Sequence, residues 1–129
     1  MIIRNINFET DYEVLAAWWT KQGWPTLPKQ MLGDHGFVAE ENELLAATWI
    51  LPTGTSIYLM EWTIGNPEVE WSKRSEAIKQ VTDTACQWAK QDGASQVITM
   101  TKNKRFIEKL QESGFIQTDS EMIHLVRSL

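Results

Sequence analysis

A single cysteine, Cys86, leaves the chain without an internal disulfide and without the thiolates a cysteine metal cluster needs. Only two histidines occur, His35 and His124, and neither has a partner at ligand spacing, so no metal centre is expected. Lys and Arg form no run, and the net charge is −5, which removes the basic surface that nucleic acid or an anionic membrane would require. Nowhere do ~18 consecutive apolar residues appear, and the start, Met1 to Asn5, lacks the apolar run of a signal peptide. A reducing cytoplasm is the expected location. Repeats, linkers and low-complexity segments are also missing, so residues 1–129 read as one domain, long enough to bury a single core without staples.

What the chain has in quantity is tryptophan. Trp18, Trp19 and Trp24 cluster early, and Trp49, Trp62, Trp71 and Trp88 follow. Each carries a large apolar surface and one N–H that wants an acceptor. For most of them packing is the simplest use.

Ile2, Ile3 and Ile6 suggest a first strand. Thr10-Asp11-Tyr12-Glu13 reads as a capping box, and Val14, Leu15, Trp18 and Trp19 follow at helical spacing up to Gly23. Pro28 opens a possible single turn through Leu32. Apolar runs Gly36–Glu40, Leu44–Leu51 and Ser56–Ile64, joined by short polar turns, predict an antiparallel meander. Ile78, Val81, Ala85 and Trp88 mark the buried stripe of a helix over about Ser72–Gln91, ended by Gly93. Cys86 adjoins that stripe as a small apolar filler. A strand Gln96–Thr101, a helix built on Phe106, Ile107 and Leu110, and a hairpin of Phe115–Thr118 with Met122–Val126 complete the chain. The expected order is β-α-β-β-β-α-β-α-β-β, an α/β fold whose mixed sheet has helices on both faces. The right-handed crossover over Ser56–Thr101 makes its two strands parallel.

Three places can carry chemistry. Glu61 is the only carboxylate in an otherwise apolar central strand, where Ile57, Leu59, Glu61 and Thr63 alternate with Tyr58, Met60, Trp62 and Ile64. It must be paired with an Arg or a Trp N–H, or reach an opening in the sheet, or carry a raised pKa suited to a general base. Ser72 is a good N-cap for the long helix. Lys73 and Arg74 then fall in its first turn, where cations oppose the helix dipole unless an anion such as a phosphate binds there. Glu68, Glu70 and Glu76 are the alternative neutralising partners. Third, Asn103 precedes the last helix, which closes on Gly114-Phe115.

The strand ending at Gly65-Asn66-Pro67, the helix behind it, the returning strand, and the Asn103-x(10)-Gly114-Phe115 closure together resemble the core of the GNAT superfamily of N-acetyltransferases. Within it the chain is most similar to short single-domain proteins encoded by bacteriophages, which share a glycine-poor Asn-Pro-Glu turn. The resemblance implies that the two parallel strands splay and that the arm of acetyl-CoA lies between them. It implies Glu61 as the base for an amine, and the main chain of Thr63, Ile64 and Gly65 at the thioester carbonyl. Ser72, Lys73, Arg74 and Ser75 would meet the pyrophosphate, with Asn103 bordering the cofactor. Trp18, Trp19 and Trp24 stand where such proteins build the acceptor wall, although the same cluster could be core or a protein-binding patch. Two departures are visible. The glycines of the usual pyrophosphate loop are absent between Glu68 and Ala77, and Leu110 occupies the place of a proton-donating Tyr. The implied function is transfer of an acetyl group from acetyl-CoA to a small-molecule or protein amine, in a protein that could form a homodimer. The alternative is a non-catalytic phage protein of this fold that binds a host or virion protein.

Overall fold

Three apolar runs separated by tight turns form the middle of one sheet. A computed structural model describes residues 1–129. Strands β1 (Ile2–Asn5), β2 (Gly36–Glu41), β3 (Glu43–Leu51), β4 (Ile57–Gly65) and β5 (Gln96–Ile98) lie side by side in chain order. The first three junctions are antiparallel and the β4–β5 junction is parallel. Asn42 turns β2 into β3 at φ 64°, a conformation that Asn tolerates better than most residues.

Helices cover both faces. On one side α1 (Phe8–Lys21) and the single turn α2 (Lys29–Leu32) bury Leu15, Trp18, Trp19 and Leu32 against Val38, Ala47 and Trp49. On the other, α3 (Trp71–Gln91) lays Ala77, Val81, Ala85 and Ala89 along the sheet. Small residues on that stripe let the helix approach closely. Leu110 of α4 (Lys104–Glu112) joins the same layer. Cys86 packs beside it, and burial pushes its thiol up to about 11, so it stays protonated near neutrality.

Several expectations are corrected. Helix α1 begins at Phe8, capped by Asn7 Oδ1, which accepts from the Glu9 amide at 3.0 Å, and not by Thr10. Asp11 takes over the role given to the capping box: its carboxylate accepts from the Asn7 amide at 2.8 Å and holds Arg4 at 2.8 and 2.9 Å. β5 ends at Ile98 and does not reach Thr101. The hairpin Phe115–Thr118 with Met122–Val126 does not form; this stretch contains no strand, and Ile116, Ile123, Leu125 and Val126 are exposed. A strand needs a ladder partner, and the three residues of β5 offer a very short edge.

The alternation along β4 is broken as well. Ala47 pairs with Ile64 but Trp49 pairs with Glu61, so Trp62 and Thr63 together oppose Thr48. This is a β-bulge, and Trp62 adopts φ 56°, a left-handed conformation that is strained for a bulky residue. Tyr58 and Met60 consequently pack toward α3, while Trp62 and Ile64 pack toward α1.

Candidate functional site

β4 and β5 pair through Ile57 with Gln96, Tyr58 with Val97, and Leu59 with Ile98 only. Past that point β4 continues to Gly65 with no ladder partner on its β5 edge, and its outward main-chain groups are left for something else. A cavity of about 560 Å³ occupies the resulting wedge. Thr63, Ile64 and Gly65 line one wall, and Thr99, Met100 and Thr101 line the other. Trp62 and Met100 stand at the wall and leave the wedge open.

The bulge lies along the part of β4 that has no β5 partner, and it is pinned by a 2.7 Å hydrogen bond between the hydroxyls of Thr48 and Thr63. Strain concentrated in such a bulge is common beside functional sites.

Glu61 sits directly opposite Trp49, whose side chain belongs to the α1-side core, so the carboxylate also faces α1. It lines the cavity and has neither a hydrogen bond nor an ion pair within the protein. Burial raises its pKa above the ordinary value of 4.5, and the charge of nearby His124 partly opposes this.

The opposite end of the wedge is cationic. Asn66 organises the turn that leads there. It is buried; its amide group donates to Glu43 Oε1 at 3.0 Å and to the Leu44 carbonyl at 2.9 Å, and its Oδ1 accepts from the Glu68 amide at 2.9 Å. This Asx turn fixes the path of the chain from β4 into α3. Helix α3 then starts at Trp71, with Glu70 at the cap position and no side-chain cap. Its first amides have no intrahelical acceptor.

Arg74 packs across Gly65 and donates to the Asn66 carbonyl at 3.3 Å. A Cβ on Gly65 would lie 2.5 Å from Arg74 Cγ, so the absence of a side chain there is what lets the arginine lie flat. The Arg74 guanidinium carbon is 5.4 Å from the Trp71 ring centroid, and that of Arg105, from the first turn of α4, is 4.6 Å away. Neither guanidinium has a carboxylate partner. The acids expected to neutralise this end are engaged elsewhere: Glu68 with Lys21, Glu70 with the Ser72 hydroxyl, Glu76 with Gln80. Ser75 is buried, lines the cavity, and its hydroxyl has no partner. Two unpaired guanidiniums, free helix amides and an orphaned hydroxyl fit a phosphate-bearing ligand.

Of the residues singled out from sequence, Glu61, Thr63, Ile64, Gly65, Arg74 and Ser75 come together around the wedge. Asn103 and Trp24 join them there. Four do not. Ser72 is neither the N-cap nor part of the lining; its hydroxyl is tied to Glu70 Oε1 at 2.5 Å. Lys73 reaches the other way, to Glu41 Oε2 at 2.5 Å. Trp18 and Trp19 are core residues, 5% and 0% exposed, because they occupy the inward face of α1. Asn103 also caps α4, its Oδ1 accepting from the Phe106 amide at 3.1 Å. Sequence reasoning missed Trp71 and Arg105. The Trp71–Arg74 spacing of three within a helix was the available signal; Arg105 had none.

No family model matches the chain, and no curated protein matches it in sequence. Solved structures match its fold over nearly the whole length. One, described as a probable acetyltransferase, superposes with a TM-score of 0.77 at 16% identity, covering 99% of each chain. The Mycobacterium tuberculosis protein Rv2747, in complex with CoA and NLQ, gives 0.76 at 10% identity over 96% of this chain and 76% of its own. The aminoglycoside N-acetyltransferase AAC(6')-Iy, in complex with the bisubstrate analogue CoA-S-monomethyl-acetylneamine, gives 0.66 at 20% identity over 98% of both. The chain shares its fold with solved structures described as acetyltransferases. No helix is long and apolar enough to cross a membrane.

Proposed function

We propose that the protein transfers an acetyl group from acetyl-CoA to an amine. The observation that carries this reading is the open wedge between β4 and β5, with an unpaired carboxylate on one face and unpaired guanidiniums on the other. Arg74, Arg105 and the first amides of α3 hold the pyrophosphate, and the Ser75 hydroxyl completes the cradle. The slender thioester arm lies along the unpartnered edge of β4, and the main chain of Thr63–Gly65 lies beside its carbonyl. Asn103 borders the arm from the start of α4. Fold likeness to proteins seen with CoA bound supports the same ligand.

Glu61 takes one proton from the ammonium of the acceptor, which frees the nitrogen lone pair. The nitrogen attacks the thioester carbonyl, the C–N bond forms and the C–S bond breaks. The second nitrogen proton is lost to the departing thiolate through solvent, giving the amide and CoA thiol, and Glu61 releases its own proton to water. Leu110, 4% exposed and packed among Tyr58, Met60 and Ala89, takes no part in protonating the thiolate. Arg105 takes the phosphate-holding role that Lys73 and Ser72 do not fill, and the Trp71 ring positions both guanidiniums.

The test is Glu61→Gln. Calorimetric affinity for acetyl-CoA should stay within twofold of wild type, while kcat for amine acetylation falls at least about 100-fold. Undiminished turnover would remove Glu61 from the mechanism, and a flat titration of the wild type would remove the reaction.

The second reading is a non-catalytic protein of the same fold that binds a host or virion protein. It draws support from the tail, where Ile116, Ile123, Leu125 and Val126 are each more than 80% exposed. The acetyl-CoA titration separates the two.

A further inference from the structure

The charges around the wedge are segregated by face. Arg74, Arg105 and Lys109 belong to α3 and α4 on one side of the sheet. Glu61 faces the α1 side and is the only acidic residue in the entire lining. Around it the α1-side wall is made by Gln22, Trp24, Pro25, Leu27 and Trp62. His124 is the one other titratable group that faces it.

This wall is built in advance of any ligand. Trp24 is 41% exposed, yet its amide donates to the Trp19 carbonyl at 2.9 Å at the end of α1. The Tyr12 hydroxyl donates to the Leu27 carbonyl at 2.6 Å, and Lys29 covers the Tyr12 ring at 5.0 Å. Trp62 is held by the bulge at φ 56°. The segment between α1 and α2 is thus pinned at both ends, with indole surface left open to the cavity.

We infer, resting on the acetyl-transfer reading above, that the acceptor is a monoamine with an aromatic or bulky apolar body, and not a polyamine or an aminoglycoside. One carboxylate compensates one ammonium. A second cationic centre would lose its hydration against indole, proline and leucine with no anion to receive it. An apolar body instead covers the exposed face of Trp24 and the flank of Trp62, and the single ammonium gains both Glu61 and the indole π-faces. The neighbour seen with an aminoglycoside-derived analogue therefore shares the scaffold but not this acceptor class.

The experiment uses the purified full chain and three probes, 2-phenylethylamine, spermidine and kanamycin. Acceptor binding is followed by calorimetry without acetyl-CoA, and transfer by kcat/KM at fixed acetyl-CoA. Phenylethylamine should bind and react at least about tenfold better than either polycation. Trp24→Ala should lower its affinity about tenfold and Trp24→Phe should restore most of it, as stacking and cation–π contact require. Spermidine or kanamycin equal to phenylethylamine in binding would overturn the acceptor class even if transfer occurs. Selective phenylethylamine binding with no transfer to any amine would uphold the acceptor class and overturn acetyl transfer. Unchanged affinity in Trp24→Ala would overturn the assigned wall.

Discussion

The guanidinium of Arg105 lies 4.6 Å from the ring centroid of Trp71, joining the first turn of α4 to the first residue of α3. Two helix starts far apart in sequence thereby share one cationic platform at the mouth of the wedge, with Arg74 on the same ring. Main-chain donors of a glycine loop are not needed if two fork-shaped cations stand ready beside a helix N-terminus.

Arg105→Ala should weaken acetyl-CoA binding about tenfold, the loss of one charge-assisted contact, and Arg105→Lys should recover only part of it. Affinity of the wild type should also fall steeply as salt is raised from 50 to 500 mM, because the platform is solvent-facing. Calorimetric Kd values that ignore both the substitution and the salt would argue against a phosphate at this site.

Gly65→Ala separates binding from folding. The new Cβ would meet Arg74 Cγ at 2.5 Å, Arg74 Cδ at 2.7 Å and Ile78 Cδ1 at 3.1 Å, all side-chain atoms, so the arginine can yield by changing rotamer while the backbone stays. The melting temperature should change by no more than a few degrees, while displaced Arg74 costs several-fold in acetyl-CoA affinity. A large drop in melting temperature would mean that the backbone, not the arginine, gives way.

Glu61 should confer a pH dependence of defined sign. Its carboxyl is held above the ordinary value by burial, so kcat/KM should be lost as pH falls through that raised value. Stability runs the other way. A folded pKa above the unfolded one means stability is fully present below the unfolded pKa and declines as pH rises through the folded one. Glu61→Gln should therefore raise the melting temperature relative to wild type at pH 8 and leave it nearly unchanged at pH 4. Equal shifts at both pH values would count against burial as the cause.

The Thr48–Thr63 bond makes the bulge accountable. Thr48 is fully buried, and Thr63→Val would leave its hydroxyl without a partner, at a cost of about 1–3 kcal/mol. Adding Thr48→Val should return part of that loss, since both hydroxyls are then gone. Chemical denaturation of the wild type, the two single variants and the double variant measures the cycle. Strict additivity would mean the hydroxyls do not depend on each other.

Local pattern carried much of the architecture. The 3.6-residue repeat of Ile78, Val81, Ala85 and Trp88 located α3, and the apolar runs from Gly36 to Gly65 located the meander. Those signals are visible because a single face of each element must leave water, and its period is set by local geometry alone. Glu61 stood out for the same reason, as one charge in an apolar strand. The tail defeated the same reasoning, since apolar residues at Met122–Val126 look like a strand but only a neighbouring backbone can make them one.

The amino-acid order by itself determined the helices, the crossover that makes β4 and β5 parallel, and the isolation of one carboxylate. Tertiary structure alone decided which charges stay free. Lys73 and Arg74 are adjacent, yet one is consumed by Glu41 from another strand and the other meets Trp71 and Gly65. The extra residue at Trp62 and the entry of Arg105 depend on register and on helix placement, which are settled by long-range packing that no local window contains.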